Sequence, residues 1–282
     1  MFADRTDWYA IAMAPPPAPR GTTDGVERLE QLERAMAVLE AFDRDHPAMT
    51  LSEVAELTGM TRAAARRILL TLRSLGHLKS DGREFSLTPK VLDLGWNYFA
   101  SLGVDEVARP VLADLVKQIN ESCSMSTLDL PDVVYVARVH PQRVMTMGGG
   151  VGSRLPASAT AAGRVMLAAA GDTVLQEFLA SRPLQQYTPR TITDPARFRA
   201  VLDTVRDQGY CLVDQELEIG LLALSVPVTG RDGRTSAAVS VSSSAARMTP
   251  AHFRRECLPP LREAASQISA ALSLSDARST II

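Results

Sequence analysis

This chain is poor in the residues on which most catalytic chemistry rests. Its 282 residues include only three cysteines, four histidines and two tryptophans. Cys123, Cys211 and Cys257 lie far apart with no metal-ligand spacing, and an odd count argues against a disulfide framework. His46, His77, His140 and His252 are scattered and belong to no metal motif. No apolar run approaches the roughly 18 residues that a membrane span needs. The N-terminus lacks the basic-then-apolar order of a secretory signal, carrying Asp4 and Asp7 instead. There is no Gly-x-Ser-x-Gly elbow and no Walker loop. Gly148, Gly150 and Gly152 fail the dinucleotide fingerprint because Ser153 stands where its third glycine should be. Nor is there an excess of charge, the net being −2, so the whole chain is no generic polycation. These absences set catalysis below binding and lead us to expect a reduced, cytoplasmic setting with no metal, no cofactor and no membrane partner.

What is present concentrates between residues 50 and 88. Thr50-Leu51-Ser52-Glu53 reads as a capping box, in which a Thr hydroxyl and a Glu carboxylate satisfy the open donors at a helix start. Leu51, Val54, Ala55 and Leu57 then make a short amphipathic helix, halted at Thr58-Gly59. Thr61 is placed to cap a second helix over 62–75, with Ala65, Ile68, Leu72 and Leu75 at burial spacing. Two short helices joined by a Gly-containing turn predict a helix-turn-helix. Asp81-Gly82, flanked by short strand-like runs, predicts a type I′ hairpin, and the whole becomes a winged helix.

Charge follows the same division. Residues 61–90 carry Arg62, Arg66, Arg67, Arg73, Lys79, Arg83 and Lys90 against only Asp81 and Glu84. Residues 26–60 reverse the balance, with Arg28, Arg34 and Arg44 against Glu27, Glu30, Glu33, Glu40, Asp43, Asp45, Glu53 and Glu56. One face therefore suits phosphate and the other avoids it. Arg62, Arg66 and Arg73 share a helical stripe, since offsets of 4 and 11 return to nearly the same azimuth. Thr61, Arg62, Arg66 and Ala63 are expected to face the major groove. Arg67, Arg73, Lys79 and Arg83 complete the DNA-binding set, the last three mainly on phosphate. The partner is a double-stranded DNA operator.

The rest of the chain reads as α+β. A proline-rich lead-in over 1–25 is expected to be disordered, with Met13 a second candidate start. Domain limits are expected at 26–88 for the winged helix-turn-helix and 89–104 for a linker helix. A second domain follows at 105–275, with a tail at 276–282. A first helix over 26–43 should bury Leu29, Leu32, Met36 and Leu39, with Val38 and Phe42 as further candidates. In the linker, Val91, Leu92, Leu94, Tyr98, Phe99 and Leu102 make an apolar stripe that fits either packing on its own domain or a dimer seam. Strands are expected at 124–130, 133–140, 144–147, 210–214, 221–229 and 235–242. Helices are expected at 107–120, 160–170, 173–181, 195–208 and 250–274. Ser240 and Ser242 alternate with Val239 and Val241, so both hydroxyls share a sheet face. That face is either simply wet or, with the small-residue helix start at 157–163, an anion site.

Several runs together resemble the IclR (isocitrate lyase regulator) family of bacterial transcription factors. They are Leu51-Ser-Glu-Val-Ala-Glu-Leu-Thr-Gly-Met-Thr-Arg-Ala-Ala-Ala-Arg-Arg67, Leu87-Thr-Pro-Lys-Val-Leu-Asp-Leu-Gly95, Glu121-Ser-Cys-Ser124, Val134-Tyr-Val-Ala-Arg138, Val151-Gly-Ser-Arg-Leu-Pro156, Gly163-Arg164, Thr188-Pro-Arg-Thr-Ile-Thr-Asp-Pro195, Asp214-Gln-Glu216 and Gly220-Leu221. The runs at 61–67 and 121–124 are closest to the subgroup regulating protocatechuate, 4-hydroxybenzoate and β-ketoadipate catabolism. The resemblance implies a linker helix used in dimerisation, a homodimer or dimer of dimers, and a GAF-like C-terminal domain that binds a small carboxylate. It implies backbone contacts from Ala161 and Ala162, hydroxyl contacts from Ser240 and Ser242, and a lining of Leu221, Ala223 and Asp214. The chain departs from that subgroup at Leu222, where Arg is usual, and at Ala223, where Cys or Ser is common; a roomier pocket with fewer donors would follow. The rival reading is an enzyme fused to a DNA-binding module, which turnover by residues 105–282 would reveal.

Overall fold

The computed structural model describes residues 29–43, 45–95, 104–141, 149–181, 183–230 and 232–279. The chain forms two compact units that divide between Ser101 and Leu102. The expected strand at 144–147 and the linker positions Tyr98, Phe99 and Leu102 lie outside the described residues.

In the N-terminal unit, helix α1 (Glu30–Glu40) is followed by strand β1 (Met49–Thr50), helix α2 (Leu51–Leu57) and helix α3 (Arg62–Ser74). Strands β2 (Leu78–Ser80) and β3 (Glu84–Leu87) complete it. The capping box forms as its residues dictate: Thr50 N donates to Glu53 Oε2 (2.7 Å), and Glu53 N donates to Thr50 Oγ1 (3.4 Å). Thr61 Oγ1 accepts from Ala64 N (3.3 Å) at the start of α3. Gly59, at a φ of 66°, makes the left-handed step between the two helices. The core consists of Val38, Phe42, Met49, Val54, Ala55, Ala65, Leu69, Leu72 and Leu78.

Three expectations fail here. α1 turns Val38 and Phe42 inward and leaves Leu29, Leu32 and Met36 exposed at 70%, 61% and 44%. Either stripe satisfies helical periodicity, and contact with α3 selects the other one. On α3 itself, Leu69 takes a core place and Leu75 lies exposed past the helix end. In the wing the turn shifts by one residue. Asp81 N donates to Glu84 O (3.4 Å), while Asp81 Oδ1 accepts from the amides of Arg83 (2.9 Å) and Glu84 (2.8 Å). Only Gly82 has a positive φ, so the type I′ turn, which needs two such residues, does not form. A third strand, β1, joins the sheet in the order β1-β3-β2. Beyond it the 89–104 segment begins as a 3-10 turn (Pro89–Val91), with 92–95 helical and Leu92 and Leu94 exposed.

The C-terminal unit runs from a π-helical turn (Val104–Ala108) into helix α4 (Arg109–Ile119), then strands β4 (Ser122–Asp129), β5 (Asp132–Val139) and β6 (Arg154–Pro156). Helices α5 (Ala161–Ala169), α6 (Asp172–Ser181) and α7 (Pro195–Gln208) follow, then β7 (Cys211–Asp214), β8 (Leu221–Thr229), β9 (Thr235–Ser244) and helix α8 (Pro250–Ser279). The six strands pair antiparallel throughout, in the order β6-β5-β4-β9-β8-β7. α4 and α8 pack on one sheet face; α5 covers the other and is backed by α7. β6 is too short, and too charged at Arg154, to have been legible in advance.

One ion pair stitches this unit together. Arg164, on α5, is buried and forms a bidentate pair with Glu216, both N–O distances being 2.6 Å. Its Nε donates to Ser158 O (2.8 Å), and Glu216 Oε2 also accepts from Ile192 N (3.0 Å). Thr188 and Thr191 close the network by donating to the carbonyls of Gln215 and Glu216. Removing one member of such a pair strands a buried charge. Arg164→Met should cost about 3–5 kcal/mol in urea denaturation, with the Arg164→Met/Glu216→Leu double variant recovering much of the loss. A single variant within about 1 kcal/mol of the parent would show that the pair carries little of the fold.

Candidate functional site

Two surfaces can act, one on each unit. On the N-terminal unit, Arg62, Ala63, Arg66, Arg67 and Arg73 all lie on the exposed side of α3, with Lys79 on β2 and Arg83 at the wing turn also exposed. Among the described residues, Arg62, Arg66, Arg67, Arg73 and Lys79 enter no ion pair or side-chain hydrogen bond. Arg83 lies in the electrostatic range of Glu53 and Asp81. Lys90 is spent structurally, its Nζ donating to Leu75 O at the end of α3 (2.7 Å). The Thr61 hydroxyl is likewise committed to its helix cap. The result is a helix face whose guanidinium groups have no partner among the described residues.

On the C-terminal unit, a cleft with about 700 Å³ of empty space, partly open to solvent, lies between α5 and the sheet. Strand register explains its floor. Ser240 pairs with Ser124 on one side and with Ser225 on the other, Ser242 pairs with Ser122 and Ala223, and Ser124 pairs with Arg138. Directly paired residues point to the same face, so a hydroxyl-rich patch forms over three adjacent strands. Leu155, Val133, Tyr135, Val213, Leu217 and Leu221 supply apolar walls, and Ala159, Thr160 and Ala162 bring in the start of α5. Thr160 Oγ1 caps that helix by accepting from Gly163 N (3.2 Å). The first-turn amides of Ala161 and Ala162 have no acceptor within the helix, as at any helix start.

The structure brings together Ala162, Leu221, Ala223, Ser240 and Ser242, as the sequence suggested. It separates the two serines in kind, however. Ser240 Oγ donates to Ser225 Oγ (2.9 Å), which donates to Val239 O (2.9 Å), while Ser242 and Ser124 keep their hydroxyls unengaged among the described residues. Ala161 does not line the cleft. Asp214 does not either: Val213 takes the inward position on β7, and Asp214 pairs with Arg190. Leu222 is fully buried on the opposite sheet face, so the expected loss of a pocket donor there does not arise; only Ala223 faces the cleft.

Two charged lining residues were missed. Arg138 reaches in from β5, its guanidinium 4.7 Å from the Tyr135 ring centroid and its Nη1 donating to Gly149 O (2.8 Å). Its signal was there, a lone cation in the apolar run Val133-Val134-Tyr135-Val136-Ala137, but only strand pairing shows which serines it joins. Glu218 enters from the β7–β8 loop, and burial raises its pKa. No local pattern distinguished it.

All three cysteines are buried, and burial pushes the Cys211 thiol up to about 12, Cys257 up to about 11, and Cys123 up as well. Among the described residues no His/Cys/Asp/Glu group fits a metal ion, and no helix is long and apolar enough to cross a membrane.

Comparison with known proteins assigns both units. The bacterial transcriptional regulator IclR C-terminal family matches residues 96–270, and the IclR helix-turn-helix domain matches residues 31–82. The chain is 39% identical over 266 residues to a Pca regulon regulatory protein of Pseudomonas putida, covering 92% of this chain and 91% of that protein. It is 40% identical over 242 residues to the p-hydroxybenzoate hydroxylase transcriptional activator of Acinetobacter baylyi, covering 84% and 89%. It superposes on an IclR homologue from Microbacterium hydrocarbonoxydans, crystallised with 4-hydroxybenzoate, with a TM-score of 0.77 and 26% identity, covering 86% and 99%.

The thiols offer a check on the packing of the C-terminal unit. At pH 8 a disulfide reagent should leave all three unreacted in the native protein and label them fully in urea. Rapid native labelling would contradict the burial described for them.

Proposed function

The chain belongs to the IclR family of bacterial DNA-binding transcriptional regulators, and on that premise we propose that it reads an operator through α3 and senses a small organic acid in the cleft. The enzyme reading is set aside because this is a family of regulators. The observation that supports the acid most directly is the cleft lining: among the described residues one guanidinium, Arg138, shares the cleft with unengaged hydroxyls and a helix start. All three favour negative charge. The Pseudomonas and Acinetobacter relatives are named for aromatic-acid pathways and the Microbacterium homologue holds 4-hydroxybenzoate, so an aromatic acid heads the class. Calorimetry against 4-hydroxybenzoate, protocatechuate, β-ketoadipate and pyruvate tests this. Arg138→Met should weaken the bound acid by roughly tenfold or more, the usual loss for a charge-assisted hydrogen bond, and Ser242→Ala by less. Binding that ignores both changes would move the site elsewhere; no binding by any of the four would refute the class.

For DNA, we assign Arg62 and Arg66 to base edges, with Thr61 and Ala63 beside them. Arg67, Arg73, Lys79 and Arg83 go to the backbone. A base-reading arginine is worth about 1–3 kcal/mol of discrimination, whereas a phosphate contact adds affinity for every sequence and steepens the salt dependence. Arg66→Ala should flatten operator preference; Lys79→Ala or Arg83→Ala should weaken all DNA binding and reduce the salt slope. An Arg62→Ala/Arg66→Ala double variant that binds its operator normally would overturn the assignment.

One winged helix reads few base pairs, and two-fold symmetry doubles them. The exposed Leu32 and Met36 on α1, together with exposed Leu92 and Leu94, suit a seam between two copies. Leu32→Asp/Leu94→Asp should shift the sedimenting species to monomer at micromolar concentration. A wild type already monomeric there would rule the seam out.

A further inference from the structure

Among the described residues Glu218 is the only carboxylate in the cleft lining, and it stands with the apolar Val213, Leu217 and Leu221. Its Oε2 is buried and has no hydrogen-bond partner among the described residues. An acceptor left in that state is costly, and natural structures rarely keep one without use. Its placement is built rather than incidental. Leu221 N donates to Glu218 O (3.2 Å), Gly220 N donates to Gln215 Oε1 (2.9 Å), Ala245 N donates to Gly220 O (2.8 Å), and neighbouring Glu216 is locked to Arg164. These bonds fix the backbone from which the side chain reaches into the cleft. Burial also raises the Glu218 pKa, as expected for a carboxylate with nothing to meet it.

The other end of the cleft belongs to Arg138. That residue lies on β5, and Glu218 lies three residues before the start of β8, with β4 and β9 between the two strands. Three inter-strand spacings make about 14 Å across the sheet, and Arg138 stands level with Ser225 while Leu221, at the start of β8, lies four residues further along, about 13 Å. After the reach of two long side chains, this leaves a gap suited to a ring rather than to a two- or three-carbon acid. We propose that Glu218 is a specificity-determining residue that accepts a hydrogen bond from a hydroxyl carried by the ligand opposite its carboxylate, selecting hydroxylated aromatic monocarboxylates over unsubstituted acids and over dicarboxylates. An acid without the hydroxyl would seal Glu218 away from water still unpartnered, and a second carboxylate would meet it as a like charge.

The proposal rests on the carboxylate being held at the Arg138 end, and three rigid probes separate the two ideas. Calorimetry of the full-length protein with 4-hydroxybenzoate, benzoate and terephthalate should rank them in that order in the wild type. 4-Hydroxybenzoate should bind roughly 10- to 100-fold more tightly than benzoate, the worth of a hydrogen bond to a charged acceptor. Glu218→Leu should erase that ratio by relieving the penalty on benzoate, which then binds no more weakly than to the wild type and so reports that the cleft is intact. Glu218→Gln, which keeps an acceptor and removes the charge, should preserve much of the preference for 4-hydroxybenzoate and improve terephthalate. If benzoate binds and its ratio to 4-hydroxybenzoate is unchanged in Glu218→Leu, or is already near one in the wild type, the role of Glu218 is wrong and the carboxylate site stands. If none of the three acids binds the wild type, the carboxylate reading falls and takes this inference with it.

Discussion

The Arg164–Glu216 pair is the constraint from which the C-terminal unit takes its shape. Burying two charges is expensive, and their attraction compensates only when the remaining donors and acceptors are also met. That condition holds here. Arg164 spends its Nε on Ser158 O and both terminal nitrogens on Glu216, and Glu216 Oε2 also receives the amide of Ile192. The Arg164 guanidinium also lies 5.6 Å from the Phe198 ring centroid on α7. Three segments distant in sequence, the 157–164 helix approach, the 188–192 turn and the 214–218 loop, are thereby held at one point. Two of them form walls of the cleft. The pair contributes less as raw stability than as register, because it decides where Thr160 and Ala162 stand relative to Leu217 and Glu218.

The same region shows why the approach to α5 is made of small residues. A Cβ added at Gly163 would lie 2.2 Å from Ala157 O, so the 3-10 turn Ala157–Ala159 can fold back on the helix only over a glycine. Ala157, Ala159, Ala161 and Ala162 are then buried without filling the space above the sheet. Across from them the floor is serine rather than valine on three successive strands. A purely structural sheet would bury branched apolar residues there, as the opposite face does with Leu222, Leu224, Val239 and Val241. Space and hydroxyls together cost packing energy, which the core under α6 and α7 and the α4–α8 side offset.

Local rules were legible in the sequence and long-range choices were not. The capping box, the helix-turn-helix, the α7 span ending at Gly209 and the β8–β9 strands all follow from interactions within a few residues, and they form accordingly. The alternation of Ser240 and Ser242 identified their shared face for the same reason. The α1 stripe failed because two apolar faces competed and only contact with α3 could choose between them. The wing turn failed because the Asp81 carboxylate found the amides of Arg83 and Glu84, a side-chain competition that a two-residue motif does not reveal. Asp214 was placed in the cleft one residue out of phase: its neighbour Val213 points inward, and Arg190, remote in sequence, draws Asp214 away. Arg138 and Glu218 escaped notice because their importance lies in which strands separate them.

That separation bears on how the cleft would spend binding energy. The β7–β8 loop is fixed at Gln215, Glu216 and Gly220 before any ligand arrives, and the α5 start is fixed at Thr160 and Arg164. Ordering costs on those two sides are therefore small, and interactions made there convert more fully into affinity. An effector nevertheless changes a regulator only through unequal affinity for two states. Contacts with walls that are the same in both states contribute tightness and selectivity but no signal. A signalling contact has to come from a lining group whose position is not clamped by this network. Arg138 meets that description, since β5 lies outside the Arg164–Glu216 network and the Arg138 side chain is joined to Gly149 across the strand end. Selectivity at the Glu218 end and response at the Arg138 end would then be separable properties of a single ligand.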